Sequence, residues 1–252
     1  MNKKENTSWE GVSQWYDRIV GEQGHYFHQK IILPGVLRLL DLKPNSSLLD
    51  LGCGQGILEK HIPKDVRYLG VDISSSFIKE AKRHAKSPKH TFLCHDLSKP
   101  LTDVKETFSH AVMILCLQNM EFPDVAIKSA KKLLEKNGKL LLILNHPCYR
   151  IPRQSGWEED EQNKMIYRRV NRYMTTMKIP IYLKPGQEEG PKTFSFHYSL
   201  TTLFSFLTQE QFAVTKLEEW CSDKESTGKR AKAENLARKE FPLFLAILAS
   251  SG

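Results

Sequence analysis

The sequence predicts an α/β protein built on a doubly wound, mostly parallel seven-stranded sheet. Three observations carry the prediction. Short apolar runs alternate with amphipathic stretches, one of those runs ends in a glycine-rich turn, and the next ends in an acid. The first run and its turn read LLDLGCGQG, from Leu48 to Gly56. At 252 residues the chain has room for one large α/β domain or for one domain carrying an insertion.

Taken in order, Ile31 to Leu42 has apolar residues at helical spacing and stops before Lys43-Pro44. Strand candidates follow at Ser47–Leu51, Arg67–Val71, Thr91–Cys94, Ser109–Leu115 and Lys139–Asn145. Ser74 or Ser75 caps a helix running to Lys86, and Pro123 suits the first turn of another running to Lys136. Gly138 stands where a left-handed C-cap would end it. After Asn145 the rhythm breaks. Residues 146 to 198 hold five prolines, several aromatics and a charged amphipathic piece, Trp157 to Lys178, which reads as a lid helix. A helix over Ser199–Phe212, a strand over Ala213–Cys221, the helix-prone GKRAKAENLARKE and a last strand over Leu243–Ala249 complete the chain. The division that results is an N-terminal lid segment (1–30), a core domain (31–145 and 199–252) and an inserted cap or substrate region (146–198).

Composition narrows the function classes. Hydrophobic residues at 40% and charged residues at 26% argue against global disorder. The net charge of +8 leaves nucleic acid or an anionic substrate open as partners, although the Lys/Arg blocks are short and suit a solvated basic surface. Five widely spaced cysteines form no C-x-x-C pair, so neither a disulfide framework nor a metal site is expected. The start, MNKKENTSWEG, has no apolar signal region, and FPLFLAILA is too short to span a membrane. A cytoplasmic setting with no membrane partner is the expectation.

The glycine turn selects among nucleotide-like ligands. The P-loop pattern G-x-x-x-x-G-K-[ST] is absent. The dinucleotide fingerprint G-x-G-x-x-G fails at its third position, where Ile57 stands and Gly56 comes one residue early. Asp50 inside the strand end would repel a pyrophosphate and would suit a cationic amine. Asp72, at the end of YLGVDIS, stands where such folds hydrogen-bond ribose hydroxyls. A ligand with a ribose, a positive charge and no phosphate is called for. S-adenosylmethionine (SAM) has those features.

On these residues the chain resembles the class I SAM-dependent methyltransferases. LLDLGCGQG is similar to their first motif through Asp50, Gly52, Gly54 and Gly56, YLGVDIS to their second-strand acid, and FLCHDL, ending at Asp96 and Leu97, to their third-strand adenine contact. The likeness spans about residues 30 to 145 and resumes after 199. With WYD (Trp15, Tyr16, Asp17), it looks like the bacterial small-molecule branch with a cap inserted after the fifth strand. The resemblance implies a Rossmann-like methyltransferase fold with SAM as cofactor. It implies that Asp50 faces the methionine amino group, that Gly52 and Gly54 let the backbone approach, and that Asp72 takes both ribose hydroxyls. Asp96 would take the adenine amino group, Ile73 and Leu97 would sandwich the ring, and carbonyls near Leu115 would accept from the methionine amine.

The remaining chemistry is to align a nucleophile and remove its proton. Trp15, Tyr16, Tyr26 and Phe27 could wall the cation, or simply pack an N-terminal helix. His146 in LILNHP and His197 in FSFHYSL, at the two edges of the insertion, are the candidate general bases, each with a structural role as the alternative. His25 and His28 are weaker candidates. Arg150, Arg153, Arg168, Arg169 and Arg172 raise an acidic small-molecule acceptor as an option, or else form the solvated face of a lid helix. Rival readings are an RNA (tRNA or rRNA) methyltransferase, a non-catalytic SAM-binding protein, and a nicotinamide dehydrogenase. An RNA enzyme using Cys148 would need a Pro-Cys partner after the fourth strand, where the sequence reads CLQNMEFP.

Overall fold

The computed structural model describes residues 25–182 and 192–252. Five helices and eleven strands follow one another in these segments. The helices are α1 (Leu33–Leu40), α2 (Ser75–His84), α3 (Pro123–Leu133), α4 (Leu200–Gln209) and α5 (Ala231–Glu240). Strands β1 (Ser47–Leu51), β2 (Arg67–Asp72), β3 (His90–Cys94), β4 (Phe108–Ile114) and β5 (Leu134–Asn145) alternate with the first three helices. Strands β6 (Ser155–Asp160), β7 (Met165–Val170), β8 (Met177–Tyr182) and β9 (Lys192–His197) lie in the insertion, and β10 (Phe212–Trp220) and β11 (Phe244–Ser251) close the chain.

Seven strands form one sheet in the order β10-β11-β5-β4-β1-β2-β3. Pairing is parallel from β3 through β5, and β11 is antiparallel to both its neighbours. The order reverses at β1 and β4, so the crevice at their carboxyl ends is the topological switch point where ligands dock in such sheets. The central strands read as near-continuous apolar runs because both faces are covered. On one face Leu49, Leu69, Ala111 and Leu142 pack with Ile127 and Leu133 of α3 and Leu203 and Leu207 of α4. On the other, Leu48, Val112 and Ile143 pack with Val36 and Leu40 of α1 and Ile78 of α2.

The helix starts have visible causes. The Ser74 hydroxyl accepts the Phe77 N–H and the Ser199 hydroxyl accepts the Thr202 N–H, each supplying one of the partners a first helical turn lacks. α2 ends at His84 rather than Lys86 because the Lys86 N–H turns away to the buried Glu59 carboxylate. The left-handed residue after α3 is Asn137 (φ 60°), not Gly138. Asn tolerates that conformation, while Gly138 is needed for space, since a Cβ there would lie 2.9 Å from the Glu135 carbonyl. A π-turn over His28–Ile32 runs directly into α1.

The insertion departs most from expectation. Residues Trp157 to Lys178 form no helix. Two antiparallel hairpins, β6–β7 and β8–β9, occupy the region. The decisive pattern is alternation: Met165, Tyr167 and Arg169 stand on one face of β7, while Ile166, Arg168 and Val170 stand on the other. Of the five arginines read as a solvated helix face, Arg168 and Arg169 are cross-strand partners on β7. Arg169 pairs with Glu158, and the Arg168 guanidinium lies 4.2 Å from the Tyr149 ring centre and 5.2 Å from that of Trp157. Asp160 closes the hairpin by accepting the Asn163 N–H. No helix among the described residues is long and apolar enough to cross a membrane.

Gly70 sits opposite Asp50 on β2, where a Cβ would lie 2.7 Å from Phe92 Cδ1 and 2.9 Å from Cys53 Sγ. Gly70→Ala is expected to destabilise the fold by roughly 1–3 kcal/mol through overpacking. Urea unfolding measures it, and Phe92→Leu in the same chain should recover part of the loss.

Candidate cofactor and acceptor site

The glycine turn follows β1 at the switch point. Gly52, Gly54 and Gly56 all have positive φ (82°, 55° and 78°), a backbone path that side chains oppose. Their spatial reasons differ. A Cβ on Gly52 would lie 2.5 Å from Cys116 Cβ, and one on Gly56 would touch Phe92 and Ala81 at 3.4 Å. A Cβ on Gly54 would meet nothing within 4 Å, so the space above that residue is open to a ligand.

Asp72 fastens the turn. Its Oδ2 accepts the Gly54 N–H at 2.9 Å and its Oδ1 accepts the Ser74 N–H at 2.9 Å. A carboxylate offers about four lone-pair sites, and two of them hold these backbone amides. Asp50 is buried, and the Tyr68 hydroxyl donates to its Oδ2 at 2.6 Å. Burial pushes its pKa up to about 7; the Tyr68 bond opposes this and the nearby Asp72 charge adds to it.

The β4 end forms the opposite wall. Leu115 adopts φ +53°, a strained position for a non-glycine residue. Its N–H donates to the Ile143 carbonyl, its carbonyl accepts from Asn119 Nδ2, and the neighbouring Cys116 thiol donates to the Leu51 carbonyl. Asp96 accepts the Ser98 N–H just beyond β3. The two residues expected to flank an adenine part company. Ile73 is 37% exposed, whereas Leu97 is only 5% exposed and belongs to the core on the α3 side. Tyr26 is not placed against the turn by any described contact. Its hydroxyl donates to Asp223 beyond β10, and the Lys224 ammonium lies over its ring. Trp15, Tyr16 and Asp17 lie outside the described residues.

The two candidate bases separate. His146 Nδ1 accepts the Cys148 N–H, which leaves the ring proton on Nε2, 2.8 Å from Glu219 Oε1. Nδ1 fixes the turn that opens the insertion, while Nε2 faces the Glu219 carboxylate of β10 without an aligned hydrogen bond; burial lowers the pKa despite Glu219. His197 differs: its Nε2 donates to the Tyr173 carbonyl at 2.6 Å, so in the neutral ring Nδ1 keeps an acceptor lone pair. Burial lowers its pKa, partly offset by the Tyr173 bond, and the imidazole is neutral near pH 7.

His197 lines a narrow cleft with Gln118, Asn145, Arg150 and Phe196, which holds about 20 Å³, room for roughly one water molecule. The cleft adjoins the β4 end because Gln118 belongs to the turn that follows Leu115. Tyr198 also pins the insertion there, its hydroxyl donating to the Met120 carbonyl at 2.9 Å. A larger cavity of about 440 Å³, lined by Arg67, Lys89 and Glu106, lies at the amino ends of the strands, away from the glycine turn. Tyr68, Cys116, Gln118 and Tyr173 escape sequence reasoning. Of these only Gln118 carried a signal, as a polar residue just past a strand's carboxyl end.

Comparison with known proteins agrees with this geometry. Residues 49–140 match the family model described as a methyltransferase domain. The chain carries a methyltransferase fold. It superposes on a SAM-dependent methyltransferase from Mesorhizobium loti with a TM-score of 0.67 and 24% identity, covering 88% of this chain and 99% of that one. Ubiquinone biosynthesis O-methyltransferase of Pelagibacter ubique is 32% identical over 120 residues, 46% of this chain and 50% of the relative. Juvenile hormone acid O-methyltransferase of Bombyx mori is 32% identical over 111 residues, 41% and 40% respectively. The chain therefore spans about half the length, or less, of these curated relatives.

Within this methyltransferase fold, Asp50 binds its proton more tightly when folded than when unfolded. Its contribution to stability is full below the unfolded carboxylate pKa and is lost as pH rises towards about 7. Urea midpoints between pH 4 and 8 should show this decline in the wild type relative to Asp50→Asn, which carries no titrating group there.

Proposed function

We propose that this protein transfers the methyl group of SAM to a small-molecule acceptor, with residues 146–198 as the substrate region. The observation that carries the reading is the open space above Gly54, bordered by the Asp72 carboxylate at the switch point. The donor set fits the cofactor. Asp72 stands where ribose hydroxyls would lie, Asp50 supplies a carboxyl group beneath an α-amino group, and Asp96 and the exposed Ile73 stand where the adenine would lie. Gly52, Gly56 and the Leu115 carbonyl complete the cradle. When bound, SAM supplies a methyl group on a positively charged sulfur, already activated for transfer.

The chain's own residues then have two tasks. The cleft walls orient the acceptor toward the β4 end, and the His197 Nδ1 lone pair takes the proton of a hydroxyl or amine. The Tyr173 carbonyl fixes the imidazole so that this nitrogen, rather than Nε2, is the base. The names of the two O-methyltransferase relatives support a small molecule and an oxygen acceptor. An RNA acceptor is less well supported. Arg38, Arg169, Arg230, Arg238 and Lys178 pair with carboxylates, which divides the positive charge rather than gathering it on one face.

Calorimetric titration tests the cofactor: SAM should bind and NAD should not, and Asp72→Ala should weaken SAM by about 10- to 100-fold. Tight NAD binding with none for SAM would overturn the reading. His197→Gln should lower kcat by about 10²- to 10⁴-fold and remove an acid limb that lies below the ordinary histidine pKa. His146→Gln should instead lower the unfolding midpoint and leave that limb in place.

A further inference from the structure

Resting on the methyltransferase reading, we infer that Asp50 selects for charge. It holds a proton in the ligand-free protein and yields it to solvent when the cationic amino end of the cofactor arrives over the glycine turn. Tyr68 sets how readily the proton leaves. A nucleoside that lacks the cation displaces no proton.

Asp50 and Glu59 are the two buried carboxyl groups among the described residues, and their surroundings differ. Glu59 accepts the Lys86 N–H at 2.8 Å and faces His90 Nδ1 at 2.5 Å. Asp50 is 2% exposed, and its hydrogen bond comes from a neutral donor, the Tyr68 hydroxyl, at 2.6 Å. No described cation pairs with it. Ionising a carboxyl group that has one neutral donor and no countercharge is costly, so the group keeps its proton instead.

The neighbouring elements do not supply the missing charge. The glycine turn presents the Cys53 thiol, β2 presents the Tyr68 hydroxyl and the Asp72 carboxylate, and the turn after β4 presents the Cys116 thiol. Behind Tyr68 stand Glu59 and the His90 ring, whose centre is 5.6 Å from that of Tyr68. Directly across the sheet, Gly70 brings no side chain at all. Burial accordingly pushes the Asp50 pKa up to about 7, the Tyr68 bond works against the rise and Asp72 adds to it.

Position turns this into selectivity. Asp50 lies two residues before Gly52, and the Asp72 carboxylate that acts on it also fastens Gly54, above which the space is open. A cation seated there would compensate the buried charge that the protein itself leaves unmatched. Only a ligand carrying such a cation lowers the cost of ionising Asp50, so uncharged and anionic occupants gain nothing from it. The sign for pH follows. Binding draws on the ionised form, so affinity rises with pH and levels off above about 7.

The test is calorimetry on the full chain at pH 6.5, repeated in two buffers of different ionisation enthalpy so that released protons are counted. One probe is S-adenosylhomocysteine, whose α-amine is charged at that pH. The other is 5′-methylthioadenosine, which keeps the nucleoside and has no amine. S-adenosylhomocysteine should release about 0.5–0.8 proton per molecule bound and should bind roughly five- to tenfold more weakly at pH 5.5. 5′-Methylthioadenosine should release none and show no such pH dependence. Asp50→Asn should abolish both effects, and Tyr68→Phe should move the levelling-off to higher pH, because it removes the donor that favours the charged form. Binding of S-adenosylhomocysteine without proton release, or equal release by both probes, would overturn the inference from the wild type alone; so would a Tyr68→Phe profile unmoved or moved to lower pH. The two claims separate cleanly. Failure of S-adenosylhomocysteine to bind would sink the methyltransferase reading, whereas binding without proton release would sink only the role of Asp50.

Discussion

The Asp72 carboxylate accepts the Gly54 N–H with one oxygen and the Ser74 N–H with the other, and the carboxyl edge of the sheet is organised around that pair of bonds. One bond fastens a turn whose three glycines would otherwise have wide conformational freedom. The other fixes the residue whose own hydroxyl caps α2. A single side chain thus couples the path of the glycine turn to the start of the neighbouring helix. Charge-assisted bonds to backbone amides are strong enough to hold such a left-handed path.

Beneath that surface lies a second carboxyl group under a different constraint. Asp50 is buried in the sheet with Tyr68 as its donor, in a layer made compact by Gly70 and closed by Phe92. Burial favours its protonated form, and an incoming cationic group would favour the charged one. The two aspartates look alike in the sequence. One is a half-buried clamp at a strand's carboxyl end, whereas the other is a buried group whose charge answers to its surroundings.

The inserted region depends on a different principle. A parallel sheet orders its carboxyl edge but does not enclose it, so enclosure comes from the insertion. Tyr198 pins that insertion to the Met120 carbonyl, His146 ties its beginning to Glu219, and His197 is oriented by the Tyr173 carbonyl. Of the two histidines at the edges of the insertion, one faces the Glu219 carboxylate of β10 and the other donates to the Tyr173 carbonyl. The groups they face, both distant in sequence, make that difference.

Much of the core was legible from the chain alone. Period-two and period-3.6 patterns, serine caps and the Gly52–Gly54–Gly56 spacing act over a few residues, so they survive without knowledge of tertiary neighbours. They placed β1 to β5, α1 to α4 and the aspartates at the strand ends. The insertion was not legible, because charged aromatic-rich stretches such as Trp157 to Lys178 suit a helix face or a hairpin equally well. Pairing of Trp157 with Arg168 across β6 and β7 selected the hairpin. Likewise the burial of Leu97, the diversion of Tyr26 to Asp223 and the unequal fates of His146 and His197 arise from contacts between distant residues. By itself the sequence determined the sheet and the chemistry of its glycine turn. Only the tertiary structure decided which side chains remain available in the cleft beside His197, because availability depends on the partners a folded chain brings to each polar atom.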